Sequence, residues 1–163
     1  MTNLAAFLTL GIILHMSTAC ITPTKIEKIP RKSTQYSSKE KDLIWDRYGI
    51  ASYTEITVYN SIGEGIDTRR FKPIIKYVSP KAYSEVKMLK QRNMIADALA
   101  TTLVISSFAT QHEKTKQDIL LLGVGGWYLN YGYNRFVVYP NIKHQYNSSL
   151  NRAYGLGVEI DFD

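Results

Sequence analysis

The most constraining feature of the sequence is a pair of apolar segments on either side of a short polar loop. The first, Met94–Ala109, is apolar or small on every side except at Asp97, and the second, Ile119–Tyr139, is uncharged over its first sixteen residues. The loop between them, Gln111–Gln117, is polar. A helix that is apolar all round is buried in protein or in lipid. The two segments therefore predict a helical hairpin over residues 94–139.

The first arm of this hairpin has a clear beginning at Ser79-Pro80. Serine caps a helix, and proline at the first helical position gives up an N–H that has no partner there. From Pro80 the sequence continues without a helix breaker to about Gln111. A long first helix is therefore expected to begin at Pro80.

The sequence does not decide whether the hairpin is surrounded by lipid or by protein. Its first apolar segment is about 24 Å long at 1.5 Å per residue, against about 30 Å for a hydrocarbon core. Gly123, Gly125 and Gly126 predict close helix packing, as small residues provide in membranes and in tight soluble contacts. The hairpin is expected either in or on a membrane, or in the core of a small soluble domain or oligomer.

The remaining chain predicts an α+β fold that is mainly α. Residues 52–60 alternate as a strand does and a turn follows over residues 61–65, whereas residues 71–78 fit a strand or a helical turn. Pro140 is expected to restart a helix that ends at Gly155, and residues 156–162 read as a C-terminal strand. The expected fold is a long helical hairpin plus a C-terminal helix, with a small antiparallel sheet from residues near 52–60 and 156–162.

The N-terminus predicts export and a lipid anchor. Residues 1–19 have the apolar run of a signal segment, and small residues precede Cys20, which is the chain's one cysteine. This arrangement resembles a bacterial lipobox, which implies acylation of Cys20, and Ile21 at the following position implies the outer membrane. The alternatives are cleavage after Ala19 by an ordinary signal peptidase, with simple secretion, or an uncleaved anchor. Residues 20–41 predict a basic flexible tether, suited to anionic lipid or simply solvated, and residues 42–163 a single folded domain.

The order of motifs also resembles a loose group of uncharacterised bacterial envelope proteins. The resemblance runs from Tyr59 to Leu150 through a Gly-x-Gly turn, the long helix and the glycine-containing hairpin. It ends on the Tyr146-Asn147-x-x-Leu150 element, so these three residues join the three glycines as expected contact or packing positions. The resemblance implies location in the envelope and carries no activity.

No constellation of catalytic or cofactor-binding residues emerges. Gly123-Val124-Gly125-Gly126 lacks the third glycine and the distal acid of a dinucleotide fingerprint. His112 and His144 lack metal-ligand spacing, so no metal and no cofactor are expected. Asp97, an acid within an apolar helix, is expected to form a buried ion pair, for which Arg92, Arg135 and Lys143 are the candidate partners, or to lie on a helix face near a membrane boundary. The functional alternative is an ion or proton site.

These features predict a non-enzymatic envelope lipoprotein with a structural or assembly role. Its expected partners are the membrane and either a second copy or another envelope protein. Nucleic acid is not expected, because the net charge of +6 is not organised as a basic helix with interleaved aromatics. The alternative is a small membrane-inserting protein, such as an effector, toxin or pore component, that acts through the 94–139 hairpin.

Overall fold

The computed structural model describes residues 28–32 and 35–156, which form a mainly helical α+β fold. The fold class predicted from the sequence is confirmed: a long helical hairpin stands beside a small antiparallel sheet. In chain order the elements are α1 (Ser38–Tyr48), β1 (Ile50–Tyr53), β2 (Thr57–Asn60), β3 (Gly65–Asp67), α2 (Thr68–Val78), α3 (Pro80–Ala109), α4 (Glu113–Tyr133), a π-helical segment (Asn134–Val138) and α5 (Tyr139–Tyr154).

Folded structure begins earlier than the sequence predicted. The backbone N–H and hydroxyl of Ser37 both donate to the carboxylate of Glu40, at 2.8 and 2.6 Å, which closes the first turn of α1. These bonds hold the pKa of the Glu40 carboxyl below its usual value. The hydroxyl of Tyr154 donates to the carbonyl of Pro30 at 2.8 Å, so the chain before α1 is also attached to the domain. The predicted tether, residues 20–41, therefore ends inside the folded part.

The strand predicted over residues 52–60 is two strands. The chain bends after β1, where the Thr54 hydroxyl donates to the carbonyl of Thr57 at 2.8 Å and accepts from its N–H at 3.0 Å. Beyond the bend β2 returns antiparallel to β1, with Tyr53 opposite Val58. Alternation of side chains continued through the bend, so the sequence pattern alone did not reveal it.

The sheet is completed by β3. The predicted turn over residues 61–65 is present: Gly63 adopts a φ of +85°, which favours glycine, and the Asn60 side chain accepts from the Glu64 N–H at 2.7 Å. β3 then pairs antiparallel with β2, with Val58 opposite Ile66. The sequence instead proposed a partner strand at 156–162. Leu156 is not in a strand, and residues 157–162 lie outside the described residues.

The region over residues 71–78, left ambiguous by the sequence, belongs to a helix. The Asp67 carboxylate accepts from the N–H of Arg69 at 2.7 Å and starts α2. A single residue then separates α2 from α3. The Ser79 hydroxyl accepts from the N–H of Ala82 at 3.3 Å, with Pro80 at the first helical position, so the predicted beginning of α3 is confirmed.

The helix predicted to restart at Pro140 is a continuation. α4, the π-helical segment and α5 follow one another without a break, and all junction residues keep right-handed helical dihedrals. Pro140 has no N–H to give, and its ring crowds the carbonyl one turn earlier. The wider π-helical turn directly before it accommodates this ring and keeps the helix unbroken. The helix ends at Gly155, which has a φ of +61°, as the sequence predicted.

The hydrophobic core lies at one end of the molecule. It is formed by the sheet, α1, α2, the first part of α3 and α5. Tyr146 is fully buried and its ring centroid lies 5.4 Å from that of Phe71. The Asn147 side chain joins α5 to β1 by accepting from the N–H of Ile50 and donating to its carbonyl, both at 2.8 Å. The buried apolar residues of this core are Ile44, Tyr48, Ile50, Tyr53, Val58, Ile66, Phe71, Ile74, Ile75, Val78, Ala82, Val86, Leu89, Val138, Tyr139, Ile142, Tyr146, Leu150 and Tyr154.

The core is rich in tyrosine, and burial changes the acidity of these rings. Loss of water around the phenol raises the pKa of Tyr53 to about 12. The same cause raises the pKa of Tyr139, Tyr146 and Tyr154. The hydroxyls of Tyr139 and Tyr146 are buried and have no hydrogen-bond partner within the described part of the chain. All four phenols therefore favour the neutral form in the folded protein.

Candidate interaction surface on the helical hairpin

The long helices continue well beyond the core. The last core residue of α3 is Leu89, and the core resumes only at Val138. Within the part of the chain between them, residues 93–137 are here called the distal hairpin. It consists of the far half of α3, the loop, α4 and most of the π-helical segment, and it projects from the domain as a pair of antiparallel helices.

The two arms of the distal hairpin meet closely at Gly123. A side chain at this position would lie 3.1 Å from the Cβ of Leu103 and 3.3 Å from the carbonyl oxygen of Ala100. Gly123 therefore permits the close helix packing that the sequence predicted. Gly125 and Gly126 do not share this role, because no atom lies within 4 Å of where their Cβ atoms would be.

A ladder of polar side chains fills the space between the arms near the domain. Asn93 of α3 accepts from the side-chain amides of Asn130 and Asn134, at 3.1 and 2.7 Å. Arg92 donates to Asn134, and its guanidinium carbon lies 4.9 Å from the ring centre of Tyr133. Asn134 is 1% exposed, so these hydrogen bonds are shielded from water and fix the pairing of the two arms.

The ladder is also tied to the sheet. The amide of Asn93 donates to the carboxylate of Glu55, in the bend between β1 and β2, at 3.0 Å. The sequence pattern did not predict this ladder. The spacing of Asn130 and Asn134, one helical turn apart, was the available signal, because folding the chain about the loop brings that turn level with Asn93.

Three hydroxyl groups of the first arm bond to carbonyls of that arm's own backbone. Thr102 donates to the carbonyl of Ala98 at 2.8 Å and Ser107 to that of Val104 at 2.7 Å. Thr110, at the end of the helix, donates to the carbonyl of Ser106 at 3.0 Å. Such bonds to a preceding turn leave little unmet hydrogen-bonding capacity on the helix surface. These three hydroxyls therefore have little capacity left to bond with a contacting surface.

Large apolar side chains stand exposed along both arms. At roughly 100 Å² each, they together expose on the order of 1,000 Å² of apolar surface over the two arms. They are Met94, Ile95, Leu99, Ile105, Phe108, Leu121, Leu122, Leu129, Phe136 and Val137. An apolar surface of this size marks a site of contact with a protein or a membrane.

Charged groups border this surface at both ends. The tip carries Glu113, Lys114, Lys116 and Asp118, and an ion pair of 3.8 Å joins Lys116 to Glu113. Lys90 and Arg92 precede the distal hairpin on α3. The apolar surface is thus confined to a band between two charged ends.

Asp97 and Arg135, the predicted buried ion pair, are not brought together. Both residues are exposed, and the Asp97 carboxylate accepts from the indole N–H of Trp127 at 3.1 Å instead. Asp97 lies on the side of α3 that faces α4, where an indole one helix away satisfies the carboxylate without burying it. No ion pair involving Asp97 or Arg135 occurs among the described residues.

The other predicted site residues fall into three groups. Tyr146 and Leu150 are fully buried in the core, and Asn147 beside them holds β1. His112 and His144 are exposed and far apart in the chain. Cys20, the predicted lipid attachment site, lies outside the described residues.

In residues 28–32 and 35–156, no three His, Cys, Asp or Glu side chains are grouped so as to hold a metal ion. Over the same residues, none of the helices has the combination of length and hydropathy needed to cross a bilayer.

Comparison of the chain with family models, with curated proteins and with solved structures found no match in any of the three.

Proposed function

We propose that this protein is a non-enzymatic lipoprotein of the bacterial cell envelope with a structural or assembly role. In this proposal Cys20 carries the lipid, at the outer membrane, and the distal hairpin makes the contact with a partner. The observation that supports the contact is the apolar band of residues 93–137, which the protein's own core leaves uncovered. The polar ladder keeps the two arms in fixed register, so the band is presented as a preformed surface.

The contact role is tested with a variant that makes the band polar on both arms. Ile105→Glu, Leu122→Glu and Leu129→Glu together place charges on side chains that are 64%, 65% and 77% exposed. The matched control carries Ile56→Glu and Ile62→Glu, at exposed positions of the sheet region. In native cells treated with a chemical cross-linker, the distal variant is expected to lose the adducts that the wild type and the control form. Equal adducts in all three chains would contradict the proposal.

The anchor is tested separately through Cys20→Ala. Intact mass and membrane fractionation of the full chain are expected to show a cleaved, acylated Cys20 in the wild type and release of the variant from the membrane. A variant that stays in the membrane as firmly as the wild type would contradict lipid anchoring, whatever the distal hairpin does.

A second candidate is membrane insertion through the distal hairpin. The observation that favours it is that both arms expose apolar residues, such as Leu99 and Leu129. Some of their polar groups, among them the Thr102 hydroxyl and the Asn130 amide, bond internally. Leakage of dye from anionic vesicles, abolished by the three-glutamate variant, would support this candidate. Vesicles that stay sealed at every protein concentration would remove it.

A further inference from the structure

The most exposed apolar side chains of the described residues lie in one line on α4 and the π-helical segment. Leu121, Leu129 and Phe136 are 75%, 77% and 80% exposed. Gly125 and Gly132 alternate with them, and no atom lies within 4 Å of where a side chain would stand on either glycine. The spacing of four, four, three and four residues keeps all five on one face of the helix. These five residues are here called the α4 seam.

The seam alternates large and small residues in a self-complementary way. Four residues separate Gly125 from Leu129, and the same number separates Gly132 from Phe136. A second α4 running in the opposite direction therefore places Phe136 over Gly125 of the first copy and Leu129 over Gly132. The two-fold symmetry of such a pair repeats both contacts. Large residues facing small ones is the arrangement that allows two helices to interdigitate.

The same register brings opposite charges together. In this register Leu121 of one copy lies opposite Pro140 of the other. Asp118 precedes Leu121 by three positions, and Lys143 follows Pro140 by three, on the continuous helix that runs from α4 into α5. With Leu129 over Gly132, Asp118 of one copy lies level with Lys143 of the other. Both residues are exposed, and within the described part of the chain neither has an ion-pair partner. Charge complementarity thus selects the register that the seam selects by shape.

The exposed area and the charges favour a protein over lipid as the occupant. On the helix that carries the seam, the large apolar side chains expose on the order of 500 Å² at roughly 100 Å² each, which is about the apolar share of the roughly 800 Å² that a stable interface buries on each partner. These side chains are Leu121, Leu122, Leu129, Phe136 and Val137. Asp97 is an exposed acid within the band, and the tip carries four charged residues. Carboxylates in hydrocarbon are costly, whereas the rim of a protein interface keeps them in water.

We infer that the α4 seam is the interface of a two-fold symmetric, antiparallel dimer of this chain, in which Leu129 and Phe136 of each copy pack over Gly132 and Gly125 of the other. This inference rests on the proposed contact role of the distal hairpin and names its partner as a second copy. The outer face of α3 stays free in this dimer for a further contact.

The register is tested by cysteine cross-linking of the full chain in mild detergent. One copy carries Gly125→Cys and a differently tagged copy carries Phe136→Cys. Under mild oxidation this mixed pair is expected to cross-link, while two copies of Phe136→Cys are not, because their cysteines lie about 16 Å apart along the helix. The parent chain, with Cys20 as its own cysteine, reports the background. Cross-linking of the like pairs in preference to the mixed pair would overturn the antiparallel register.

The charges are tested by reversal, with the mass measured by light scattering. Lys143→Glu alone and Asp118→Lys alone are each expected to raise the dissociation constant of the dimer about tenfold, and the double variant to restore it. Ile105→Glu, on α3 and off the seam, is the control and is expected to leave the dimer intact. Single and double variants that dissociate equally would contradict the pairing of Asp118 with Lys143.

The outcomes also separate this inference from the proposed function. A monomeric wild-type chain whose envelope adducts depend on the distal hairpin overturns the dimer and keeps the contact role with another partner. A monomer whose adducts do not depend on the distal hairpin overturns both.

Discussion

At the scale of single residues, the Asn147 side chain joins two distant parts of the chain by a pair of hydrogen bonds. It bonds both the N–H and the carbonyl of Ile50, and so connects α5 to the first strand across 97 positions of sequence. Asn147→Ala leaves two backbone groups without partners in a half-buried place. We expect a loss of about 2–3 kcal/mol in the free energy of unfolding, measured by urea denaturation.

The control for this variant is Asn151→Ala, one turn further along α5. The carbonyl oxygen of the Asn151 side chain has no hydrogen-bond partner within residues 28–32 and 35–156. Because a buried oxygen without a partner is costly, its replacement is expected to leave the free energy of unfolding unchanged or to raise it. Equal losses at both positions would show that the cost arises from replacing any asparagine of α5 by alanine and not from the link to β1.

The hydroxyl of Tyr146 allows a prediction of the opposite sign. Tyr146 is fully buried, its ring packs on Phe71, and its hydroxyl has no partner among the described residues. Because a buried hydroxyl without a partner costs about 1–3 kcal/mol, Tyr146→Phe is expected to leave the melting temperature unchanged or to raise it. Tyr146→Leu, which removes the ring, is expected to lower it. A clear loss of stability in the phenylalanine variant would reveal a hydrogen bond to that hydroxyl.

The sequence identified some single residues better than others. Ser79, Pro80 and Gly155 were predictable because helix capping depends on a few neighbouring residues. The proposed pairing of Asp97 with Arg135 was wrong, because a carboxylate on a two-helix projection reaches water and an indole without needing a cation. Choosing among long-range partners required the register of the two arms, which the sequence pattern did not supply.

At the scale of elements, the close approach of the two arms of the distal hairpin depends on Gly123. Gly123→Ala would press its methyl group against the Cβ of Leu103 and the carbonyl of Ala100, neither of which is a flexible group. We expect a loss of about 1 kcal/mol from this overpacking. Gly126→Ala, in open space on the same helix, is expected to gain about 1 kcal/mol from helix propensity. Hydrogen exchange of the α4 amides distinguishes the two, and equal protection in both variants would contradict close packing at Gly123.

The elements themselves were predictable where one physical signal dominated. The apolar period and the capping residues predicted α3, and the turn at Gly63 was equally clear. The sheet was partly missed, because β3 has only three residues, Gly65–Asp67, and is too short for a sequence pattern. The unbroken passage through Pro140 was missed because it depends on a π-helical turn, and proline ordinarily predicts a new beginning.

At the scale of the whole molecule, buried tyrosines make the fold sensitive to alkali. In the unfolded chain a tyrosine loses its proton near pH 10, whereas the pKa of Tyr53 in the folded protein is about 12 and those of Tyr139, Tyr146 and Tyr154 are also raised. The stability that these tyrosines contribute is therefore fully present below pH 10. Above it the unfolded chain binds fewer protons, so the free energy of unfolding falls as pH rises toward the folded pKa values.

The expected slope between pH 10 and 12 is about 1.4 kcal/mol per pH unit for each tyrosine that stays neutral in the fold. Urea midpoints measured at pH 9, 10 and 11 check it. Tyr53→Phe is expected to reduce this slope by the contribution of one tyrosine, about 1.4 kcal/mol per pH unit. A midpoint that stays constant up to pH 11 would contradict burial of these phenols.

The core of the domain is built without the distal hairpin. Every core residue lies between Ile44 and Leu89 or between Val138 and Tyr154, so the distal hairpin contributes none of them. Removing Leu99–Ala109 and Glu113–Gly123 takes eleven residues, about three helical turns, from each arm, and thus keeps the facing sides of both helices in phase. The polar ladder at Asn93 is retained. Because no core contact is lost, we expect a melting temperature within a few degrees of the wild type and weaker binding of a hydrophobic dye, whose site is the exposed band. A shortened chain that unfolds would mean that the band is part of the fold and not a surface held out for a partner.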